Sequence, residues 1–110
     1  MVMGFVHAFA LVREDISRAN TREHVRQLEQ LAAAEHLALR DEVLVVSDAS
    51  RYGPLLAALW DVGVETLLIP SVVHVPGWLA AIRSRAEILT LDPQRRWPRL
   101  YAPSTEAIPR

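Results

Sequence analysis

Apolar and polar residues follow one another in blocks that predict strands and helices in alternation. Residues 5–12 form a continuous apolar run, which is typical of a strand buried on both faces of a parallel sheet. Asn20 and Glu23 have the spacing of a capping box, which predicts a helix beginning near Thr21. Apolar residues then recur at steps of three and four as far as Leu39. We therefore expect an amphipathic helix that continues to Asp41-Glu42.

Three further strands and two further helices are predicted downstream. The strands cover residues 43–46, 66–69 and 88–91, and the helices begin at Gly53-Pro54 and at Trp78. The strand at 66–69 is expected to continue past Pro70 through Val73. Alternating strands and helices with short connections predict an α/β fold: a small, Rossmann-like or resolvase-like parallel sheet of about four strands with helices on both faces.

Length and composition predict one domain with a terminal arm. The chain has 110 residues, of which 51% are hydrophobic and 23% charged, so it is expected to fold as a single unit. Residues 1–92 contain every predicted element and form the expected α/β domain. Residues 93–110 contain four prolines, which lack the amide donor that a helix needs. We expect this segment to be a Pro/Arg-rich arm, either extended or wrapped on the body.

The charged residues exclude several classes of function. All 12 basic residues are arginine, and the chain has neither lysine nor cysteine. Disulfide scaffolds, cysteine zinc sites, cysteine nucleophiles, P-loop NTPases and Schiff-base chemistry are therefore excluded. A net charge of -1 also excludes a histone-like DNA coat. That total conceals a net -4 over residues 1–82 and a net +3 over residues 83–110, so the basic end is the expected partner-facing part.

Nothing in the hydrophobic pattern indicates a membrane protein. The apolar segment at residues 1–12 is short, no basic residues precede it, and the charged run Arg13-Glu14-Asp15 follows it. A signal peptide is therefore not expected. No apolar run has the length of a membrane span. We expect a soluble, cytoplasmic protein with no membrane partner.

Polar residues after the predicted strands define a candidate pocket, because ligands of parallel sheets bind at the carboxyl ends of the strands. These residues are Arg13, Glu14, Asp48, Ser71 and His74. Glu14, Asp48 and His74 could together hold a divalent cation. The alternative, which we favour, is that Asp48 caps the following helix and that His74 has a structural role. No cofactor is expected, because the glycine-rich turn of nucleotide sites is absent, and so is the Gly-x-Ser-x-Gly motif of hydrolases.

The other three histidines do not cluster in the sequence. His7 lies in the middle of the first predicted strand, where we expect it to pack in the core. His24 and His36 lie on the first predicted helix, and we expect both to face solvent. These positions leave His74 as the one histidine near the candidate pocket.

The predicted arm combines arginines with aromatic residues. The side chains concerned are Arg95, Arg96, Trp97, Arg99 and Tyr101. Guanidinium groups can pair with phosphates while Trp97 and Tyr101 stack on bases, as in single-strand nucleic-acid binding. Alternatively, the two aromatic rings pack back onto the body and the arginines pair with its acidic surface. We favour this second interpretation, because a few arginines give only modest affinity for phosphates.

Five segments resemble the N-terminal catalytic domain of serine recombinases, the resolvase/invertase family, in sequence order. That domain has a buried strand ending in Tyr-x-Arg-Val-Ser, a Gln- and Leu-rich helix, a second strand with an acidic residue, an Arg-Pro-x-Leu helix start and a strand ending in Asp-Arg-Leu-x-Arg. The corresponding segments here are residues 9–13, 27–34, 45–48, 51–56 and 68–75. The resemblance implies a resolvase-like core over residues 5–91.

The family's catalytic residues are missing at the matching positions. Arg13 occupies the place of the nucleophilic serine, and Leu11 that of the arginine before it. Val73-His74 replaces the Asp-Arg pair, and Gly77 the last arginine. Ser17 lies too far past the strand to act as the nucleophile. A recombinase needs that hydroxyl and those arginines to attack a phosphodiester and to stabilise the developing charge.

These observations lead to three hypotheses about function. The first is a non-catalytic, recombinase-like interaction or regulatory module that self-associates, with Trp60, Trp78 and Trp97 adding apolar surface for contacts. The second is a nucleic-acid-binding accessory protein of a mobile element that uses the arm. The third is a small metal-dependent enzyme whose site lies at the carboxyl ends of the strands.

Overall fold

A computed structural model of the chain describes residues 6–39, 42–48, 50 and 63–100. The strands in these ranges are β1 (Val6–Arg13), β2 (Leu37–Leu39), β3 (Leu44–Val46), β4 (Thr66–Ile69), β5 (Glu87–Leu91) and β6 (Gln94–Trp97). The α-helices are α1 (Glu14–Ser17), α2 (Thr21–Ala34) and α3 (Leu79–Arg83). Short 3₁₀ turns cover Arg18–Asn20 and Val72–His74.

The strands form one mixed sheet in the order β2-β1-β4-β5-β6, and β3 also pairs with β1. The strand β1 is parallel to β2, β3 and β4, and its Ala8 is in register with both Leu39 and Thr66. The strand β5 is parallel to β4 and antiparallel to β6, with Ile88 opposite Trp97. The carboxyl ends of β1, β3 and β4 therefore lie at the same end of the sheet.

Each face of the sheet has its own hydrophobic core, because successive residues of β1 point to opposite faces. Ala8, Ala10 and Val12 pack in the core covered by α2, which contributes Leu28 and Ala32. The opposite core contains Leu11 of β1 and Ile82 of α3, together with Val46, Val64, Leu67, Ile69, Val75 and Ile88. Helices therefore lie on both faces, and the residues at the carboxyl end of β1 emerge between the two cores.

The predicted α/β fold class is confirmed, and several predicted elements coincide with observed ones. The strand β4 has the predicted bounds, and α2 begins at Thr21, although Asn20 makes no side-chain cap hydrogen bond. The predicted continuation of β4 past Pro70 is wrong, because Val72–His74 forms a 3₁₀ turn. The helix predicted to begin at Gly53-Pro54 lies outside the described residues.

The first predicted helix, α2 in the structure, is shorter than its apolar pattern predicts. It ends at Ala34, and His36 adopts a left-handed backbone conformation with φ of 57°. That conformation terminates helices and usually belongs to glycine or asparagine, so the sequence gives little sign of it here. Leu39, which continues the helical spacing, belongs instead to β2.

Gln94–Trp97 pairs with β5 as an edge strand rather than extending away from the body. Its first three side chains are exposed, and only Trp97 is partly buried, so no strand-like alternation of apolar residues marks it. Charged side chains are typical of edge strands because they oppose further pairing. The first residues of the predicted arm thus form a strand, and residues 101–110 lie outside the described ranges.

His7 does not pack in the core. It lies in the first, exposed part of β1, before the buried stretch that begins at Ala8. The strand extends beyond both hydrophobic cores at this end, so a residue in a continuous apolar run is nevertheless in contact with water. The prediction that His7 is a core residue is wrong.

Candidate functional site

Arg13 and His74 meet at the carboxyl end of β1. The backbone N–H of Arg13 donates a 3.0 Å hydrogen bond to Nδ1 of His74, whose side chain is 1% exposed. Because Nδ1 accepts this hydrogen bond, the neutral ring carries its proton on Nε2. Burial is the main cause that lowers the pKa of His74 to about 4; the nearby His24 and Arg13 act in the same direction, and Asp15 opposes them. The buried imidazole is therefore neutral at pH 7.

The side chain of Arg13 is held by Asp15. Its Nε and Nη2 donate hydrogen bonds of 3.0 and 2.6 Å to the two carboxylate oxygens, which form a bidentate ion pair. The Arg13 side chain is 10% exposed and that of Asp15 is 38% exposed. Hydrogen bonding from Arg13 lowers the pKa of Asp15. The Arg13 guanidinium at the carboxyl end of β1 is therefore paired with a carboxylate.

A second polar pair continues this cluster on the side of α2. The hydroxyl of Ser17 and Nδ1 of His24 share a hydrogen bond of 2.7 Å. The His24 ring meets the His74 ring edge-on, with 6.4 Å between centroids. Ser17 is only 4% exposed, so its hydroxyl is not presented to a substrate. We call Arg13, Asp15, Ser17, His24 and His74 the strand-end cluster.

The strand-end cluster includes two residues of the predicted pocket, Arg13 and His74. Glu14 is exposed, and Ser71 is half-buried, with its carbonyl accepting the N–H of His74. Asp48 is also exposed, and its Oδ1 accepts the backbone N–H of Ser50. The helix that Asp48 is predicted to cap lies outside the described residues. Across the described ranges, no three His, Asp or Glu side chains are grouped closely enough to hold a metal ion.

His24 is the member of the strand-end cluster that sequence reasoning misplaced. It was expected to face solvent, but it is partly buried and bonded to Ser17. The position of His24 beside the apolar stripe of the helix does not indicate, from the sequence alone, that its side chain bonds to Ser17. The placement of Ser17 in α1, directly after β1, creates the contact.

A groove adjoins the strand-end cluster between α1, the start of α2 and β3. It has a volume of about 710 Å³ and is lined by Glu14, Arg18, Ala19, Thr21, Arg22, Val25 and Val45. Arg18 has the backbone angles φ 51° and ψ -121°, in a region that costs a non-glycine residue on the order of 1–3 kcal/mol. No described residue forms an ion pair with the guanidinium of Arg18 or of Arg22.

The residues of the predicted arm contact the body. The indole N–H of Trp97 donates a 3.2 Å hydrogen bond to the hydroxyl of Thr90. Arg96 donates to Glu87 at 2.7 Å and to Glu35 at 2.6 Å. These contacts match the interpretation in which the arm packs back onto an acidic surface.

The other candidate contact residues of the arm, Arg95, Arg99 and Tyr101, differ in their surroundings. Arg95 is exposed, and its guanidinium lies 4.0 Å from the centre of the Trp97 ring. Arg99 is also exposed. Tyr101 lies outside the described residues. The Trp97 ring is thus already in contact with the Arg95 guanidinium.

Comparison of the chain with protein-family models, with curated proteins and with solved structures finds no match in any of the three. None of the helices in the described ranges combines the length and apolar content that a membrane crossing requires.

Proposed function

We propose that this protein is a non-catalytic, recombinase-like interaction or regulatory module that associates with a second copy of itself. The observation that carries the proposal is the pairing within the strand-end cluster. Arg13 at the nucleophile position has its side chain bound to Asp15 and its N–H bound to His74. Ser17, the nearest hydroxyl, is buried against His24. Phosphoryl transfer needs a nucleophile and charge-stabilising groups directed at the substrate.

The strand order supports a Rossmann-like, resolvase-like core within the mixed sheet. From β1 the chain forms β2 on one side and later crosses to β4 on the other, giving the order β2-β1-β4-β5. A change of direction of this kind is characteristic of doubly wound folds. Under this proposal, β6 is an antiparallel addition at the edge of a parallel core formed by β1 to β5, in which β2 and β3 both pair with β1.

The surface that we assign to self-association is the segment after β4. Val73 is 54% exposed and Trp78 is 37% exposed, although both belong to a segment that also contributes Val75 to the core. Residues 71–82 contain no acidic or basic residue apart from the buried, neutral His74. In a twofold dimer each patch meets its own copy, so an uncharged patch avoids like-charge repulsion. Tryptophan is also enriched among the residues that dominate binding energy.

Replacing Trp78 by serine is expected to weaken the dimer about thirtyfold, because an interface tryptophan contributes about 2 kcal/mol or more. Sedimentation equilibrium over micromolar concentrations measures the change in dissociation constant. Val6→Ser is the matched control, since Val6 is an exposed apolar residue at the amino end of β1, at the opposite end of the sheet from the segment that follows β4. A monomeric wild type, or equal weakening by both variants, would contradict this surface.

Nucleic-acid binding through the arm remains the second candidate, because Arg95 and Arg99 are exposed. The contacts of Trp97 with Thr90 and of Arg96 with two glutamates favour the first proposal, since they remove the stacking ring and one cation from the binding set. We expect the full chain to give no salt-dependent gel shift with single-stranded or duplex DNA. A shift at low salt that Arg95→Ala reduces would instead support the second candidate.

A further inference from the structure

We propose that the groove beside the strand-end cluster binds a phosphate monoester, with Arg18 and Arg22 holding the phosphate. This site is separate from the self-association surface, and either proposal can fail without the other. Both arginines line the groove, and within the described ranges neither guanidinium has a carboxylate partner. By contrast, Arg13, Arg26 and Arg96 each form an ion pair. Two exposed guanidinium groups on one concave surface, without a described carboxylate partner, favour an anionic ligand.

The charge and geometry of two guanidinium groups fit a phosphate better than a carboxylate. Each guanidinium presents parallel N–H donors, and a phosphate monoester offers three terminal oxygens and nearly two negative charges. A single carboxylate is satisfied by one bidentate arginine. Glu14 also lines the groove, so the net charge of the groove is +1 rather than +2. The Thr21 hydroxyl already donates to the carbonyl of Arg18, so the donors facing the phosphate come from the two arginines.

The remainder of the groove explains why we expect an organic phosphate. Val25 and Val45 supply apolar lining, and Val45 is an exposed valine on β3. The volume of about 710 Å³ is in the range of small-molecule sites and exceeds the volume of a phosphate ion. A ligand with its phosphate on the arginines would place a ring or chain on the two valines. The position also agrees with the general location of ligands at the carboxyl ends of parallel strands.

Arg18 is held in this position by an unusual backbone. A positive φ on a residue with a long side chain persists only where its surroundings fix it, and such residues are frequent at binding sites. Here α1 ends at Ser17, which is bound to His24 of α2, so the turn containing Arg18 is fixed on both sides. The strand-end cluster therefore positions the groove without entering it.

The test is a titration of the ¹⁵N-labelled full chain with phenyl phosphate at low ionic strength, followed by amide chemical shifts. We expect saturable shifts that concentrate on residues 14–25 and on Val45. Arg18→Ala and Arg22→Ala are each expected to weaken binding about tenfold or more, because each removes a charged hydrogen-bonding group. Arg26→Ala is the matched control: it removes the same charge from α2, but at a residue paired with Glu23 outside the groove.

Inorganic phosphate and a short single-stranded DNA are the comparison ligands. Tighter binding of phenyl phosphate than of inorganic phosphate supports the role of Val25 and Val45, and equal affinity overturns it. Shifts that do not saturate, or equal losses in the Arg22→Ala and Arg26→Ala variants, would show general electrostatic attraction and overturn the site. Saturable binding of DNA without binding of phenyl phosphate would assign the groove to nucleic acid and also overturn the proposal.

Discussion

Lowering the pH from 7 to 4 is expected to reduce the free energy of unfolding by about 3 kcal/mol through His74 alone. Burial is the largest of the causes that together depress the pKa of this imidazole from 6.5 to about 4; His24 and Arg13 act in the same direction, and Asp15 opposes them. Between these two values the unfolded chain binds a proton at His74 and the folded chain does not. Stability from this group is therefore complete above pH 6.5 and is lost as the pH falls toward 4.

The hydrogen bond at Nδ1 gives the structural reason for this effect. Nδ1 of His74 accepts the backbone N–H of Arg13, so a proton on that nitrogen would face another donor in the core. The nearby carboxylate that could offset the charge, Asp15, is already bound by the Arg13 guanidinium. Arg13 also lowers the pKa of Asp15. The Asp15 carboxylate therefore stays ionised over the pH range in which the stability from His74 is lost.

Urea denaturation at a series of pH values, with His74→Asn beside the wild type, isolates this contribution. An asparagine side-chain oxygen can accept the Arg13 N–H but does not titrate in this range. We expect the variant to start with lower stability at pH 7, because it fills less volume, and then to lose about 3 kcal/mol less by pH 4. His36→Asn, the same substitution at an exposed histidine outside the strand-end cluster, is the control. Parallel pH profiles for wild type and His74→Asn would refute the assignment.

The elements that the sequence predicts correctly are those whose signal is local. The observed bounds of β1 and β4 lie within one residue of those that their apolar runs predict, and α2 begins where its capping-box spacing places it. The errors occur where a tertiary contact overrides the pattern. Leu39 fits the helical stripe, yet it pairs with Ala8 in the sheet because His36 turns the chain.

The candidate site could be predicted only in part. The order of strands places Arg13 and His74 at the same end of the sheet, and that much follows from the pattern. The hydrogen bond between them joins residues 61 positions apart, and the contact between Arg96 and Glu35 spans the same separation. Side-chain pairing over such distances depends on packing angles that no local spacing encodes. The groove around Arg18 depends on a backbone conformation that arginine rarely adopts.

Trp97→Ala is expected to lower the free energy of unfolding by about 3 kcal/mol, although Trp97 lies on an edge strand. The substitution removes the hydrogen bond to Thr90, the stacking of the Arg95 guanidinium 4.0 Å from the ring centre and the packing of the ring against the core. Typical values are about 1 kcal/mol for the hydrogen bond, up to about 1 for the cation–π contact and 1.5 or more for the apolar burial.

The Trp97 substitution measures whether β6 belongs to the folded unit, because Arg96 and Trp97 supply side-chain contacts with the body beside the backbone pairing of β6 with β5. Urea denaturation followed by circular dichroism gives the stability, and hydrogen exchange shows whether amides 94–97 lose protection together with those of β5. Arg95→Ala is the matched control: it removes only the stacked cation and is expected to cost less than about 1 kcal/mol. If Trp97→Ala costs no more than this control and exchange in β5 is unchanged, residues 93–100 are an appendage of the sheet. A large loss in stability, with faster exchange of the β5 amides, means instead that residues 93–100 are part of the folded core. The arginines of this segment are then available to partners only along the edge of the sheet that β6 forms.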